Sequence, residues 1–203
     1  MIKVLKFIAF LFSKVSNRIK FYYEKFLYFI YPNIINLLRK RIICKTIPAF
    51  QQITLCKGKG IVQIGSNCSF GYKLGGFNRG GSIELQARYK NSKVKIGNNI
   101  STNNNIFICS ANYIEIGNDT LVGQNVVIMD HEAHGIDPSK RNQLGEIGSV
   151  VIGKNVWIGN NVTILKNSKI GENTIVATGA VVVGSFPPNV IIGGVPAKII
   201  KSI

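Results

Sequence analysis

The chain has 203 residues, 46% of them hydrophobic, which is enough for one domain with a sizeable core, with or without an appendage. Its 25 lysines and arginines outnumber its 9 aspartates and glutamates. Residues 1–46 hold ten of the basic residues and one acid, so they carry +9 of the formal net charge of +16. The charge therefore belongs to an N-terminal arm, which excludes a uniformly basic globule.

The four cysteines are widely separated in the sequence. They form no Cys-x-x-Cys pair, and no histidine stands at metal-ligand spacing from them. This pattern predicts buried free thiols in a reducing compartment, and no metal site. The cysteines are Cys44, Cys56, Cys68 and Cys109.

The N-terminal arm has apolar residues at intervals of three and four, the spacing of one helix face, with lysines and arginines between them. Pro32 is expected to break or end this helix, and residues 34–45 then restart an amphipathic pattern. The apolar face is formed by Leu5, Ile8, Leu11, Phe12, Val15, Ile19, Tyr22, Phe26 and Ile30.

The charge and hydropathy of this arm distinguish between several roles. Lys14, Arg18 and Lys20 interrupt every window long enough to span a bilayer. A cleaved signal peptide would need a small-residue cleavage site after the apolar run of residues 7–12, and none follows. A basic amphipathic helix suits an anionic cytoplasmic leaflet, so we expect peripheral membrane contact through residues 1–46. Packing on the domain or on an oligomer partner is the alternative, whereas nucleic-acid binding fits the interleaved large apolar residues less well.

A six-residue repeat begins after residue 60. Its units start with an aliphatic residue and have asparagine or aspartate at the fourth position. The second position is glycine, except for Leu165 in the unit that starts at Ile164. The clearest units start at Ile64, Ile96, Ile116, Val122, Ile152, Ile158, Ile164 and Ile170, and their fourth positions are Asn67, Asn99, Asp119, Asn125, Asn155, Asn161, Asn167 and Asn173.

Each column of the repeat has a physical reason. The aliphatic side chains fill a continuous interior, glycine permits close backbone approach at a corner, and asparagine and aspartate accept a left-handed backbone conformation. Three units close a triangular coil of about eighteen residues. The glycine and asparagine columns argue against helices. The pattern predicts an all-β fold, a parallel β-helix, over residues 51–203, preceded by a helical arm over residues 1–50.

One segment interrupts the repeat. Ile128 starts a unit, the next regular unit starts at Ile152, and residues 129–150 lie between them. Both histidines of the chain, His131 and His134, are in this interruption. Long loops on a rigid scaffold often carry function, and histidine can accept a proton near neutral pH. Two solvated loop histidines are the alternative.

From Val156 to Lys201 the chain reads "VWIGNNVTILKNSKIGENTIVATGAVVVGSFPPNVIIGGVPAKIIK". With the repeat, this stretch resembles the left-handed β-helix acyltransferases of the hexapeptide-repeat family, which include sugar and polysaccharide O-acetyltransferases. The resemblance covers about residues 60–201, and it implies the left-handedness of the coil, acetyl-CoA as co-substrate and a homotrimer.

The resemblance also separates the two histidines. Similar enzymes have an aspartate, three variable residues, then a catalytic histidine before a Gly/Pro/Ser-aliphatic-Asp-Pro run. His134 matches the general base, whereas His131 falls on a variable position. Asp130 is expected to orient the imidazole of His134, with Glu132 as second choice.

The resemblance further implies that coenzyme A lies in a groove between neighbouring prisms of the trimer. The positions that match its contacts are Trp157, Gly159, Asn160, Ala177, Thr178 and Gly179, with Lys198 and Lys201 as candidates for its phosphates. Many relatives have Thr-Lys-Asp before Pro-Pro, whereas this chain has Val183-Gly184-Ser185, so one lysine contact is missing.

The acceptor site is less clearly marked. Asn103, Asn104 and Asn105 are candidates to bind a sugar, or equally turn residues, and residues 72–93 break the repeat where they could shape the acceptor entrance. The resemblance implies an O-acetyltransferase that acetylates a surface polysaccharide unit or precursor, and the basic arm adds the expectation that it is cytoplasmic and peripheral on the inner face of the membrane. An acetyltransferase of small free acceptors and a non-catalytic β-helix scaffold are the alternatives.

Overall fold

The computed structural model describes the backbone of residues 2–203 and the side chains of residues 13–203. The chain begins with a continuous helical segment made of α1 (Ile2–Lys25), a π-helical turn (Phe26–Ile30) and α2 (Tyr31–Leu38). Contrary to expectation, Pro32 does not end the helix. It lies in the first turn of α2, and the preceding π turn accommodates it through the Tyr31 N–H bond to the Phe26 carbonyl.

The rest of the chain forms three sheets of short strands, numbered β1 to β21 in chain order. The first sheet contains β1 (Ile42–Cys44), β4 (Ile61–Ile64), β7 (Lys93–Ile96), β10 (Tyr113–Ile116), β13 (Ser149–Ile152), β16 (Ser168–Ile170) and β19 (Ser185–Phe186). The second contains β2 (Ala49–Phe50), β5 (Ser69–Phe70), β8 (Ser101–Thr102), β11 (Leu121–Val122), β14 (Trp157–Ile158), β17 (Ile175–Val176), β20 (Val190–Gly194) and β21 (Ala197–Ser202). The third contains β3 (Thr54–Gly58), β6 (Ile83–Ala87), β9 (Phe107–Ser110), β12 (Val127–Met129), β15 (Thr163–Ile164) and β18 (Val181–Val182).

Successive strands pass from the first sheet to the second, to the third and back to the first. Each strand pairs in parallel with the strand one coil away, except for the final antiparallel pair β20–β21. Ile152 pairs with Ile170, eighteen positions later, as three six-residue units require. The predicted parallel β-helix is confirmed.

The asparagine and aspartate column adopts the predicted left-handed conformation. All eight residues at the fourth repeat position have φ between 54° and 63°. Several of their side chains also bond to one another along the corners, as from Asn99 Nδ2 to Asp119 Oδ1 at 2.8 Å and from Asn125 Nδ2 to Asn161 Oδ1 at 3.0 Å. Each corner is thus held by its backbone conformation and by a ladder of side-chain amides.

The glycine column allows neighbouring coils to approach closely. A Cβ atom on Gly117 would lie 2.5 Å from the carbonyl carbon of Gly153 in the next coil, closer than a backbone atom tolerates. Replacement of Gly117 by alanine is expected to cost about 3 kcal/mol of unfolding free energy, because the two coils must separate. The matched control is Gly80→Ala, where a Cβ meets no atom within 4 Å. Urea denaturation should show an unchanged midpoint for that control, and equal stability of both variants would contradict this account of the corner.

The helical segment covers the first coil. Phe29 stacks on Phe50 at 4.2 Å between ring centroids, and Phe50 stacks on Phe70 at 5.6 Å. Asn33 is buried, donates through Nδ2 to the carbonyls of Phe29 and Thr54, and accepts the N–H of Cys56 at 2.6 Å. These bonds satisfy the edge strand β3, which would otherwise be open to pairing with another chain.

The β-helix begins earlier than the sequence indicated. Its first strand starts at Ile42, ahead of the boundary expected at residue 51, because residues 42–50 form a coil without the glycine and asparagine columns that made the repeat visible. The four cysteines have no disulfide partner among the described residues; three are buried and Cys44 is half-buried.

Over residues 13–26, where its side chains are described, the apolar face of the helical segment is not covered by the chain's own β-helix. Val15, Ile19, Tyr22 and Phe26 are exposed, whereas Ile30 packs against the core. The face residues Leu5, Ile8, Leu11 and Phe12 lie outside the described side chains. No helix over residues 2–203 contains a stretch that is both long and apolar enough to cross a bilayer.

Candidate active site

The interruption of the repeat forms a loop between β12 and β13, at the corner between the third and first sheets. Its two arms pair with each other, since the Glu132 N–H donates to the Glu146 carbonyl at 2.9 Å and the Gly145 N–H to the Glu132 carbonyl at 3.1 Å. Lys166 of the next coil forms ion pairs with both Glu132 and Glu146. The loop is therefore a short, braced hairpin, which we call the histidine hairpin (residues 130–148).

His134 lies at the exposed end of the histidine hairpin. Its Nδ1 atom is 2.8 Å from the backbone carbonyl oxygen of Arg141. Because a carbonyl oxygen only accepts, Nδ1 carries the proton of the neutral ring, and Nε2 is left as a free acceptor. The backbone thus fixes the tautomer that a general base needs.

Asp130 does not orient His134, so that expectation is wrong. The Asp130 carboxylate is fully buried and accepts hydrogen bonds from Ser110 Oγ at 2.6 Å, from the backbone N–H groups of Ala111 and Asn112 at 2.7 and 3.0 Å, and from His131 Nδ1 at 2.9 Å. These four bonds use both oxygens inside the corner. Asp130 therefore anchors the base of the hairpin.

The other two candidates of the hairpin are also occupied. The side chain of His131 is buried, and its Nε2 atom has no hydrogen-bond partner among the described residues. Glu132, the second choice for orienting His134, instead pairs with Lys166 and accepts the Glu146 N–H. Of the two imidazoles, the structure exposes only that of His134.

The residues expected to bind coenzyme A lie together on a different part of the prism. Trp157 is on the outer face of the second sheet with 55% of its surface exposed, and it pairs with Ile175 of the next coil. The Gly179 N–H donates to the Asn160 carbonyl at 2.9 Å, at the corner between the second and third sheets. A Cβ on Gly159 would lie 2.7 Å from the nitrogen of Thr178.

The remaining donor-site candidates continue this strip. A Cβ on Gly193 would lie 2.9 Å from the Cβ of Ala177, so β20 runs directly beside the corner. Lys198 and Lys201 are on β21, opposite Gly193 and Ile191, and both are exposed. All eight candidates therefore follow the second sheet and its corner with the third.

A cavity of about 390 Å³ lies on the outer face of the second sheet, and we call it the face groove. It is lined mainly by small polar side chains, together with the two aromatic rings of Tyr72 and Trp157. Its lining includes Gln51, Ser69, Ser101, Asn103, Trp157 and Asn160. Such a mixture of hydroxyls, amides and an aromatic surface can hydrogen-bond and stack a sugar ring.

The three consecutive asparagines have different roles. Asn103 borders the face groove. Asn104 is fully buried, and its amide bonds to the backbone of Tyr72 and Gly76, so it does not face a ligand. Asn105 has φ of 60° and its Nδ2 bonds to Asn125 at 2.6 Å, as a turn residue does. The expectation of a sugar contact fails for Asn104 because the loop of residues 71–82 folds over it.

The cysteines do not supply a nucleophile. Burial raises the pKa of the Cys44 and Cys109 thiols to about 11 and that of Cys56 further. A thiol with so high a pKa is almost entirely protonated at neutral pH, and only the thiolate attacks. The described side chains also include no cluster of three or more metal-ligating residues.

Sequence reasoning missed several residues that hold the site. The Arg141 carbonyl carries no sequence signal, because any residue supplies a backbone oxygen. Ser110 lies twenty positions before Asp130, close to the repeat of one coil, and that spacing was the one available signal for their contact.

The structure is a β-helix from which a hairpin with an exposed imidazole projects. Comparisons with known proteins point to a family with this kind of repeat. Residues 149–184 match the bacterial transferase hexapeptide (six repeats) family. WbbJ of Escherichia coli strain K12, provisionally named a lipopolysaccharide biosynthesis O-acetyl transferase, is 36% identical over 137 residues, which cover 62% of this chain and 68% of WbbJ. Galactoside O-acetyltransferase of the same strain is 34% identical over 116 residues, 55% of each protein.

Solved structures give the same answer. A hexapeptide-repeat acetyltransferase of Vibrio cholerae is 32% identical, with a TM-score of 0.52 over 54% of this chain and 62% of that one. The polySia-specific acetyltransferase NeuO is 22% identical, with a TM-score of 0.59 over 79% of this chain and 66% of that one, and shares the fold. The matches thus span between about half and two thirds of the lengths of these relatives. The chain belongs to the hexapeptide-repeat acetyltransferases, and its coil is their left-handed parallel β-helix.

Proposed function

We propose that this acetyltransferase moves the acetyl group of acetyl-CoA to a sugar hydroxyl, with His134 as general base. One observation carries the proposal: His134 is exposed, and its Nδ1 is bound to the Arg141 carbonyl, so Nε2 is free to accept a proton. Of the two relatives at 34–36% identity, one is named for O-acetyl transfer in lipopolysaccharide biosynthesis and one for O-acetylation of galactosides.

The chemistry requires one proton acceptor and no covalent enzyme intermediate. His134 Nε2 removes the proton of the acceptor hydroxyl while the hydroxyl oxygen attacks the carbonyl carbon of the acetyl-CoA thioester. The tetrahedral intermediate collapses as the C–S bond breaks, and the imidazolium returns the proton to the leaving thiolate, which yields the ester and coenzyme A. The high pKa of the cysteines favours this direct transfer over a thioester intermediate on the enzyme.

The residues present fit acetyl-CoA along the second sheet. Trp157 offers an exposed aromatic surface, Gly179 leaves open space beside the corner, and Lys198 and Lys201 supply positive charge at the end of the strip. The absence of the lysine expected near Val183 leaves these two residues as the main candidates for the phosphates.

The placement of His134 and of the donor-site candidates at different corners of the prism supports a homotrimer. His134 lies at the corner between the third and first sheets, whereas Trp157 and Thr178 lie on the second sheet and its corner with the third. Different corners of a prism meet only when two prisms stand side by side. We infer that a neighbouring copy brings its His134 to the groove of this one.

The acceptor of this proposal is a unit or precursor of a surface polysaccharide. The face groove is open and lined by hydroxyls and amides, which suits a sugar within a longer molecule. The direct test measures thiol release from acetyl-CoA with a panel of oligosaccharides, nucleotide-sugars, free sugars, amino acids and antibiotics. Preference for a small free acceptor would replace the polysaccharide with the alternative, and no release with any acceptor would favour a scaffold.

The same proposal places the protein on the inner face of the membrane, through the arm. The exposed apolar residues of α1 alternate with Arg18, Lys20 and Lys25, and Glu24 is the single acid of residues 1–46. A helix of this kind lies in the interface of an anionic bilayer. DNA binding that weakens steeply with salt would instead favour a nucleic-acid role for the arm.

Substitution of Ile19 and Tyr22 by serine should weaken binding to phosphatidylglycerol vesicles by about tenfold or more, because two large apolar side chains no longer enter the interface. Vesicle co-sedimentation of the full-length chain measures the effect. The control is Val183→Ser with Val195→Ser, which removes two exposed apolar side chains at the other end of the β-helix. Equal binding by all three proteins would refute membrane contact through α1.

A further inference from the structure

The loop of residues 71–82 carries exposed apolar side chains that the fold does not need. It leaves the coil between β5 and β6, and Leu74 at its turn is 85% exposed. Phe77 is also exposed, and its φ of 60° is unusual for a bulky residue. A conformation of this kind persists only where the surroundings hold it.

Buried amides hold the loop in this conformation. Gln52, which is almost completely buried, donates through Nε2 to the Phe77 carbonyl at 2.7 Å. Asn104 donates to the carbonyls of Tyr72 and Gly76 at 2.8 and 2.9 Å. The chain thus uses two buried side chains to keep a loop that presents Leu74 and Phe77 to the outside.

The loop is joined to the basic helix. Lys73 forms a 2.7 Å ion pair with Glu24, near the end of α1. The amphipathic helix and the exposed apolar loop are therefore held side by side.

Two clefts connect this surface to the face groove. One, of about 330 Å³, lies between α1 and β2 and is lined by Lys20, Glu24, Gln51 and Lys73. The other, of about 440 Å³, lies under the loop and includes Tyr28, Gln51, Lys73 and Arg79. Gln51 also lines the face groove, so all three spaces meet at one residue.

The two clefts are positively charged. Lys20, Lys73 and Arg79 stand against one carboxylate, Glu24, which leaves a net charge of +2. No ion pair involves Arg79 among the described side chains. This charge complements a phosphate or diphosphate at neutral pH.

We propose that the acceptor is a sugar joined to a membrane lipid through a phosphate or diphosphate, an inference that rests on the proposed function. Leu74 and Phe77 enter the bilayer beside α1, the clefts hold the phosphate groups near Lys73 and Arg79, and the sugar extends past Gln51 into the face groove. A nucleotide-sugar shares the diphosphate, but it gives the two exposed apolar side chains no partner. The lipid-linked form uses the apolar loop, the cations and the polar groove together.

The test compares two kinds of phosphatidylcholine vesicle, one containing an isoprenyl diphosphate and the other phosphatidylglycerol at equal surface charge. The full-length chain should bind the isoprenyl diphosphate vesicles about tenfold more tightly. Lys73→Gln with Arg79→Gln should remove this preference. Lys59→Gln with Lys90→Gln removes the same charge from the corner between the third and first sheets, away from the clefts, and this variant should keep the preference for isoprenyl diphosphate vesicles. Equal binding of both vesicles by the wild-type chain, or a preference that survives in K73Q/R79Q, would overturn the inference.

A parallel activity measurement separates this inference from the proposed function. Thiol release from acetyl-CoA is followed with a lipid-diphosphate-linked sugar in vesicles, the matching nucleotide-sugar and the free sugar. We expect the lipid-linked sugar to give the highest kcat/KM. Transfer to all three at equal kcat/KM would overturn the lipid-linked acceptor while the acetyltransferase stands, and no transfer to any sugar would contradict the proposed function itself.

Discussion

Replacement of His134 by alanine is expected to lower kcat by about 10²- to 10⁴-fold, the usual contribution of a general base. The imidazole is exposed and makes one hydrogen bond, to the Arg141 carbonyl, so its loss should leave the unfolding midpoint almost unchanged. Thiol release from acetyl-CoA, measured with saturating acceptor, gives the rate, and urea denaturation gives the stability. The combination of a large kinetic and a small thermodynamic effect distinguishes a base from a structural residue.

The control for this variant lies in the same hairpin. Lys140→Ala removes another exposed side chain and should keep the wild-type rate. Full activity of H134A would refute the mechanism.

Mixing two inactive variants tests whether neighbouring subunits share the site. H134A mixed with Thr178→Trp, a variant whose groove is blocked, should recover activity after subunit exchange. The reason is that a mixed trimer contains one intact groove beside one intact histidine. Recovery would not occur if each chain held a complete site.

Replacement of Asp130 by alanine should destabilise the fold by about 4 kcal/mol, because four donors lose their acceptor inside a closed corner. The donors are Ser110 Oγ, the backbone N–H groups of Ala111 and Asn112, and His131 Nδ1, and the Asp130 side chain that accepts from them is fully buried. The free energy of unfolding in urea measures the loss. Asp130→Asn should be intermediate in stability, since it keeps one carbonyl oxygen but turns an amide towards a donor.

The matched control is Asp137→Ala in the same hairpin. Asp137 is exposed and caps the short 3₁₀ turn Pro138–Lys140 by accepting the Ser139 N–H at 2.9 Å, a bond that lowers the pKa of its carboxyl. Loss of such a cap costs about 1 kcal/mol. If D130A were as stable as D137A but catalytically inactive, Asp130 would be an orienting residue after all, and its buried bonds would have been overvalued.

The sequence was sufficient for the architecture because the repeat is local. Each six-residue unit forms its own corner through an asparagine or aspartate that accepts φ near 60°, and its glycine lets the next coil approach closely. The columns of the repeat therefore predict how the coils pack. The position of the histidine hairpin followed from the same regularity, since a break in a strict repeat is visible without a structure. The first coil, from Ile42, was missed because it lacks these columns.

The choice of His134 came from a resemblance, and the partners of the hairpin residues came only from the tertiary structure. The stacking of the coils places Asp130 beside Ser110, one coil away. The Asp130 carboxylate therefore accepts hydrogen bonds inside the corner and does not contact His134. The tautomer of His134 depends on the backbone oxygen of Arg141, and any residue at position 141 would supply the same oxygen, so the sequence does not reveal this contact. Asn104 was likewise a candidate to bind a sugar or to form a turn, and only the path of the loop of residues 71–82 determines that it is buried. A repeat determines which atoms face inward, whereas contacts between a loop and a neighbouring coil depend on the path of the loop through space.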